Sequence, residues 1–161
     1  MYNKKVLQHF KSPHNFGKIQ NADGQGQVGN VVCGDVMNLY LKIGKNKKGE
    51  EIIEDVKFET YGCVAAIATS SIITDLAKGK TIKQAIGLNK DSIIDTLEEL
   101  PAIKIHCSVL AIDALNEAIY NYLHKNKRDI PKELQKRHER IEKEKQIIEK
   151  KYADWINSSK D

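Results

Sequence analysis

Between Asp35 and Ile43 the chain reads DVMNLYLKI, where Met37, Leu39, Leu41 and Ile43 alternate with Asn38, Tyr40 and Lys42. That two-residue period predicts a half-buried strand. After the polar turn GKNKKGE, the stretch IIEDVKFETYG alternates again, with Val56 and Phe58 against Asp55, Lys57 and Glu59, so the two segments predict a hairpin. The preceding VGNVV offers a third strand, while GKIQNADGQGQVGN, rich in Gly, Asn and Gln, predicts a loop. At the start of the chain, KKVLQHF is a short amphipathic segment that ends at Ser12-Pro13.

Past Gly62 the period changes to that of a helix. CVAAIATSSIITDLAKG has apolar positions at Ile67, Ile73 and Leu76 and stops at Gly79. Thr81 with Gln84 has the capping-box pattern and opens IKQAI. DSIIDTLEEL is a further helix that must end before Pro101, and IHCSVLAIDALNEAIYNYL carries a long one through Val109, Ile112, Leu115, Ile119 and Leu123. Strands first and helices afterwards define an α+β fold: a small antiparallel sheet of about three strands, with helices packed on one face.

From Pro131 onward Leu134, Ile141, Ile148 and Trp155 recur every seven residues, but the alternate seam positions hold His138, Lys145 and Tyr152, so only half a coiled-coil stripe is present. Glu133 with Arg137 and Glu139 with Lys143 are helix-supporting pairs. The expected arrangement is a largely solvated helix resting its apolar edge on the domain. Charge sets this segment apart. Residues 1–124 hold 14 Lys+Arg and 14 Asp+Glu, whereas residues 125–161 hold 12 and 8, which accounts for the whole excess of +4. The chain therefore divides into a neutral domain, 1–124, and a basic helical C-terminal extension, 125–161. A neutral body with no basic patch interleaved with aromatics argues against nucleic acid as a partner.

At 161 residues the chain can bury a core without a disulfide or metal to hold it together, so a metal here would be functional. No apolar run approaches the roughly 20 residues of a membrane span, and the N-terminus has no signal-peptide pattern, so a cytoplasmic protein without a membrane partner is expected. In a reducing compartment three cysteines leave three roles: buried bystander, nucleophile or metal ligand. Cys33 lies where a strand meets CGD, with Gly34 free to bend so that Cys33 and Asp35 face one point. Cys63 follows Gly62 at a strand-to-helix junction, and Cys107 opens the long helix beside His106. A thiol at a helix N-terminus is biased toward thiolate, the form soft metals bind. Taken singly, each cysteine reads as packing, Asp35 as a turn residue and His106 as a capping histidine. Their conjunction at element ends points to a metal site.

The blocks VVCGDVMNLYLKI, VKFETYGCVAAIATSSIITDLAKGKT and LPAIKIHCSVLAIDAL resemble, in order and spacing, the three signature blocks of the IscU/NifU-type iron–sulfur cluster scaffold family. The opening Y…V…H…SPHNFG is similar to that family's N-terminus, and the resemblance covers about residues 1–124. It implies that Cys33, Cys63 and Cys107 hold a nascent [2Fe-2S] cluster with Asp35 or His106 as fourth ligand. It also implies iron as a ligand, a cysteine desulfurase as sulfur donor with Cys107 as persulfide acceptor, Lys104 as an assisting residue, and apo iron–sulfur proteins as recipients. Such a chain is a scaffold and not a turnover enzyme. Leu100-Pro101-Ala102-Ile103-Lys104 lacks the second proline of the family's chaperone-recognition stretch, which weakens the case for a chaperone partner. His106 stands where the zinc-dependent SufU branch has arginine, so the IscU branch is favoured. A zinc-binding sulfur-transfer protein is the alternative, with zinc in the same site, and a homodimer is left open. A cysteine-nucleophile enzyme using Cys107 and His106 fares worse, because adjacent helical residues point about 100° apart and make a poor base–nucleophile pair.

Overall fold

The computed structural model describes residues 2–29 and 35–158. Its elements are α1 (Lys4–Lys11), β1 (Gly24–Gly29), β2 (Val36–Lys45), β3 (Glu51–Tyr61), α2 (Val64–Ala77), α3 (Ile82–Ile86), α4 (Lys90–Leu97), a 3-10 turn (Ala102–Lys104), α5 (Ile105–Lys125) and α6 (Lys132–Ser158). The sheet is antiparallel in the order β1-β2-β3. The hairpin forms as its alternation requires: Met37, Leu39, Leu41, Val56 and Phe58 are fully buried. The alternation weakens at Ile43 because the β2–β3 register shifts between Lys42 and Ile43, which leaves Ile43 only half-buried.

One expectation is corrected. The Gly-rich segment read as a loop contains the third strand, β1, which pairs Gly24 with Leu41 and Gly29 with Val36. Of the VGNVV stretch expected to supply that strand, Val28 and Gly29 belong to β1, and residues 30–32 lie outside the described ones. The glycines serve close packing here, not turning. A Cβ on Gly24 would stand 2.4 Å from the Ala118 carbonyl oxygen, and one on Gly26 would stand 2.5 Å from both the Ala114 oxygen and the Ala118 nitrogen. α5 therefore lies against the β1 backbone itself, closer than any side chain permits.

The helices follow their punctuation. Thr81 and Gln84 form a reciprocal capping box at α3, Asn89 and Ser92 form another at α4, and α4 stops at Leu97, before Pro101. α2 ends at Ala77, with Gly79 just beyond at φ +86°. α2 and α5 pack on the sheet and on each other, and α1 lies along α2. The tail helix is bound more closely than a solvated appendage. Leu134 and Ile141 are buried in the same core as Leu115 and Ile119, and Ile148 is half-buried. Arg137, expected to pair with Glu133 along the helix, instead donates to the buried Asp113 of α5 at 3.0 Å, and Arg140 joins it at 2.8 Å. Glu139, expected to pair with Lys143, accepts from Gln135.

Candidate metal centre

The end of β3, the start of α2 and the start of α5 meet at one edge of the molecule. Cys63 is the N-cap of α2, in extended conformation (φ −79°, ψ 176°), yet its side chain makes no capping bond. Its sulfur turns elsewhere, to Cys107 Sγ at 3.8 Å and to the Asp35 carboxylate at 3.8 Å. Asp35 immediately precedes β2 and is only 6% exposed, so it is not the solvated turn residue that its position in CGD suggests. Gly62 makes this approach feasible, since a Cβ there would come within 3.0 Å of the Asp35 carboxylate and 2.9 Å of the Ala66 Cβ.

Cys107 lies in the first turn of α5 and is buried, with its carbonyl accepting from the Thr69 hydroxyl at 3.3 Å. The His106 Nε2 stands 3.6 Å from Cys107 Sγ. The divergence of about 100° between helical neighbours is thus overcome by the reach of the imidazole around the open end of the helix. Donor atoms of Asp35, His106 and Cys107 all lie within 4.8 Å of one another. Of the residues expected at the site, Asp35, Cys63, His106 and Cys107 converge, and Cys33 lies outside the described residues.

Lys104 adjoins the group through Cys63. That sulfur is the main influence raising the lysine's pKa above its ordinary value. Tyr2, which opens the N-terminal Y…V…H…SPHNFG pattern, is not among the site residues expected from the sequence. Burial first, and then the Cys63 and Cys107 sulfurs, push its phenol above the ordinary range, against an opposing effect of Lys104. Nothing in the local pattern around Tyr2 reveals this placement, because α1 reaches the site only through tertiary packing. Two thiols, an imidazole and a carboxylate form a mixed soft and hard donor set, one that can hold a thiophilic ion yet keep an exchangeable corner.

An α+β domain with a thiol-rich centre at the joined ends of its sheet and helices is thus defined as a candidate metallocentre protein. The chain belongs to the NifU-like N-terminal domain family, whose model matches residues 1–129. It is 51% identical over 151 residues to the iron-sulfur cluster assembly scaffold protein IscU 1 of Archaeoglobus fulgidus, covering 93% of this chain and 92% of that one. That coverage takes in most of α6, so this relative shares the tail as well as the domain. It is also 46% identical over 131 residues to the iron-sulfur cluster assembly scaffold protein IscU of Escherichia coli K12, covering 80% of this chain and 97% of that one. The crystal structure of a nitrogen-fixing NifU-like protein (N-terminal) from Brucella abortus shares the fold, with a TM-score of 0.63 at 19% identity, over 76% of this chain and 94% of that one.

Proposed function

We propose that this protein is a scaffold on which a [2Fe-2S] cluster is assembled from iron and desulfurase-derived sulfur and then passed to apo-proteins. One observation carries the reading: Asp35, Cys63, His106 and Cys107 converge at sulfur contacts of 3.6–3.8 Å in a chain closely related to named scaffolds. In this reading Cys33 supplies the third thiolate, and Asp35 or His106 the fourth ligand. Thiolates bind iron tightly, whereas a carboxylate or imidazole is more readily displaced, which suits a cluster that must leave.

Sulfur arrives as a persulfide on a cysteine desulfurase. The Cys107 thiolate attacks the outer sulfur, the S–S bond of the donor breaks, and the donor leaves as a thiolate with Cys107 now carrying the persulfide. That exchange is redox-neutral. Conversion of the bound sulfur to sulfide takes two electrons from an external reductant. Lys104, beside Cys63, offers positive charge against the thiolates during these steps. Zinc suits the same donors in tetrahedral geometry and is the alternative occupant.

Anaerobic reconstitution with iron, a desulfurase and cysteine tests the proposal. The wild type should turn brown, with visible charge-transfer absorption that zinc protein lacks. Cys33→Ser, Cys63→Ser and Cys107→Ser should each change the spectrum, and four identical spectra would end the scaffold reading. Asp35→Ala should hold its cluster longer and transfer it more slowly to an apo-acceptor, followed by circular dichroism. Equal transfer rates would remove Asp35 from the mechanism in favour of His106.

A further inference from the structure

A second group of metal-ligating side chains lies away from the cysteines. His9 near the end of α1, His14 just beyond Pro13 and Asp75 near the end of α2 each present one donor atom, all within 4.8 Å of one another. Asp75 is twelve residues from Cys63 along α2, about 18 Å at 1.5 Å per residue, so the two groups are separate.

The local sequence builds this group tightly. The Ser71 hydroxyl, one turn before Asp75 on α2, meets His9 Nδ1 at 2.8 Å and accepts from the His14 backbone N–H at 2.8 Å. Asn15, held at φ +59°, donates through Nδ2 to Asp75 Oδ1 at 3.1 Å and to Thr74 Oγ1 at 3.0 Å. The His9 ring and the Asp75 carboxylate are thus each oriented by a neighbour, the arrangement that fixes ligands for a metal, while the His14 backbone is anchored beside them. An imidazole bound at one nitrogen keeps the other for coordination.

The spacing suits an ion. His14 Nδ1 and Asp75 Oδ2 are 2.6 Å apart, a hydrogen bond in which the carboxylate accepts the imidazole proton. Two donors each about 2.1 Å from one ion at right angles stand about 3 Å apart, so a metal can replace that proton with little movement. The His9 ring lies 4.7 Å from that of His14, tilted by 59°. The group borders a cleft of about 410 Å³ lined by Gln8, His9, Lys11, Ser12 and His14, which leaves room for water on the open coordination positions.

We propose that His9, His14 and Asp75 form a binding site for a divalent first-row transition metal, independent of the cysteine centre. Two imidazoles and one carboxylate are the donor set of open facial sites for such ions. Lys11 lines the same cleft, and the two imidazole nitrogens favour ions that bond to nitrogen over calcium or magnesium.

The test uses the full chain labelled with nitrogen-15 and titrated with zinc beyond the amount its thiols take up, reading each imidazole by long-range proton–nitrogen spectra. The expected result is a saturable shift of one ring nitrogen on each of His9 and His14, ending at one equivalent per chain, with magnesium producing none. Asp75→Asn keeps shape and sits at a surface where the carboxylate is 39% exposed, so folding is not at stake. It should weaken the zinc affinity read at His9 and His14 by at least about tenfold. Unmoved His9 and His14 signals at millimolar zinc, or an Asp75→Asn affinity equal to the wild type, would overturn the proposal.

Discussion

Replacing Gly26 by alanine separates two physical effects that oppose each other. In a strand, glycine gives up more backbone freedom on folding than alanine, so the substitution alone should stabilise by roughly 0.5–1 kcal/mol. At Gly26, however, the new methyl would stand 2.5 Å from the Ala114 carbonyl oxygen, 2.5 Å from the Ala118 nitrogen and 2.9 Å from the Glu117 Cβ. The first two are α5 backbone atoms and cannot rotate aside, so helix and strand must separate. Overpacking of this kind costs about 1–3 kcal/mol, and a rigid backbone neighbour puts it at the upper end. The net expectation for Gly26→Ala is a loss of about 2 kcal/mol, or a fall of roughly 4–8 °C in Tm for a chain of this size.

Gly29, on the same strand, supplies the control. Among the described residues, a Cβ there would meet only the Asp35 carbonyl oxygen at 3.6 Å, an ordinary contact. Gly29→Ala should therefore be neutral or stabilising by up to about 1 kcal/mol. Urea unfolding followed by far-ultraviolet circular dichroism gives both values. Gly26→Ala at or above wild-type stability, or equal losses at both positions, would refute the close-approach argument and return the segment to the flexible loop its composition suggests.

Two further outcomes follow from the contacts made by the chain's last third. The Arg128 hydrogen bond holds the Glu51 carboxyl below its ordinary value of about 4.5, so the pair's stabilisation is present above that pH and is lost as pH falls through the lower folded value; Glu51→Gln should be less stable than wild type at pH 7 and match it in strong acid, and a deficit constant with pH would refute the assignment. A chain ending at Asp129 loses Leu134 and Ile141 from the core, which should lower stability by roughly 3–6 kcal/mol, yet Cys63 and Cys107 should react with a thiol reagent at wild-type rates in the folded state, and altered rates would tie α6 to the metal centre.

The hairpin was legible because each of Met37, Leu39, Leu41, Val56 and Phe58 meets its environment on its own, by burying a side chain at a two-residue period. The caps of α3 were legible for the same local reason: Thr81 and Gln84 satisfy each other within four residues. β1 was not, because Gly24 and Gly26 signal by what they lack, and the α5 backbone that requires the lack is about 90 residues away in sequence. Glycine as turn and glycine as close approach look identical until the partner is known.

The candidate site divides along the same line. Cys63, His106 and Cys107 stand at the ends of elements that the hydrophobic period can place, so their convergence could be anticipated from chain order. Tyr2 and the His9–His14–Asp75 group depend on how α1 lies along α2, a packing choice that no short-range pattern encodes. The tail shows why charge counts mislead at this scale. The basic excess of residues 125–161 read as a surface property, yet two of its cations, Arg137 and Arg140, converge on Asp113, a carboxylate that is only 5% exposed. Buried without them, that carboxylate would stand uncompensated, a cost of several kcal/mol. The sequence position of Asp113, on the apolar helix of the core, therefore already implies a cationic partner. Only the fold says that α6 supplies it.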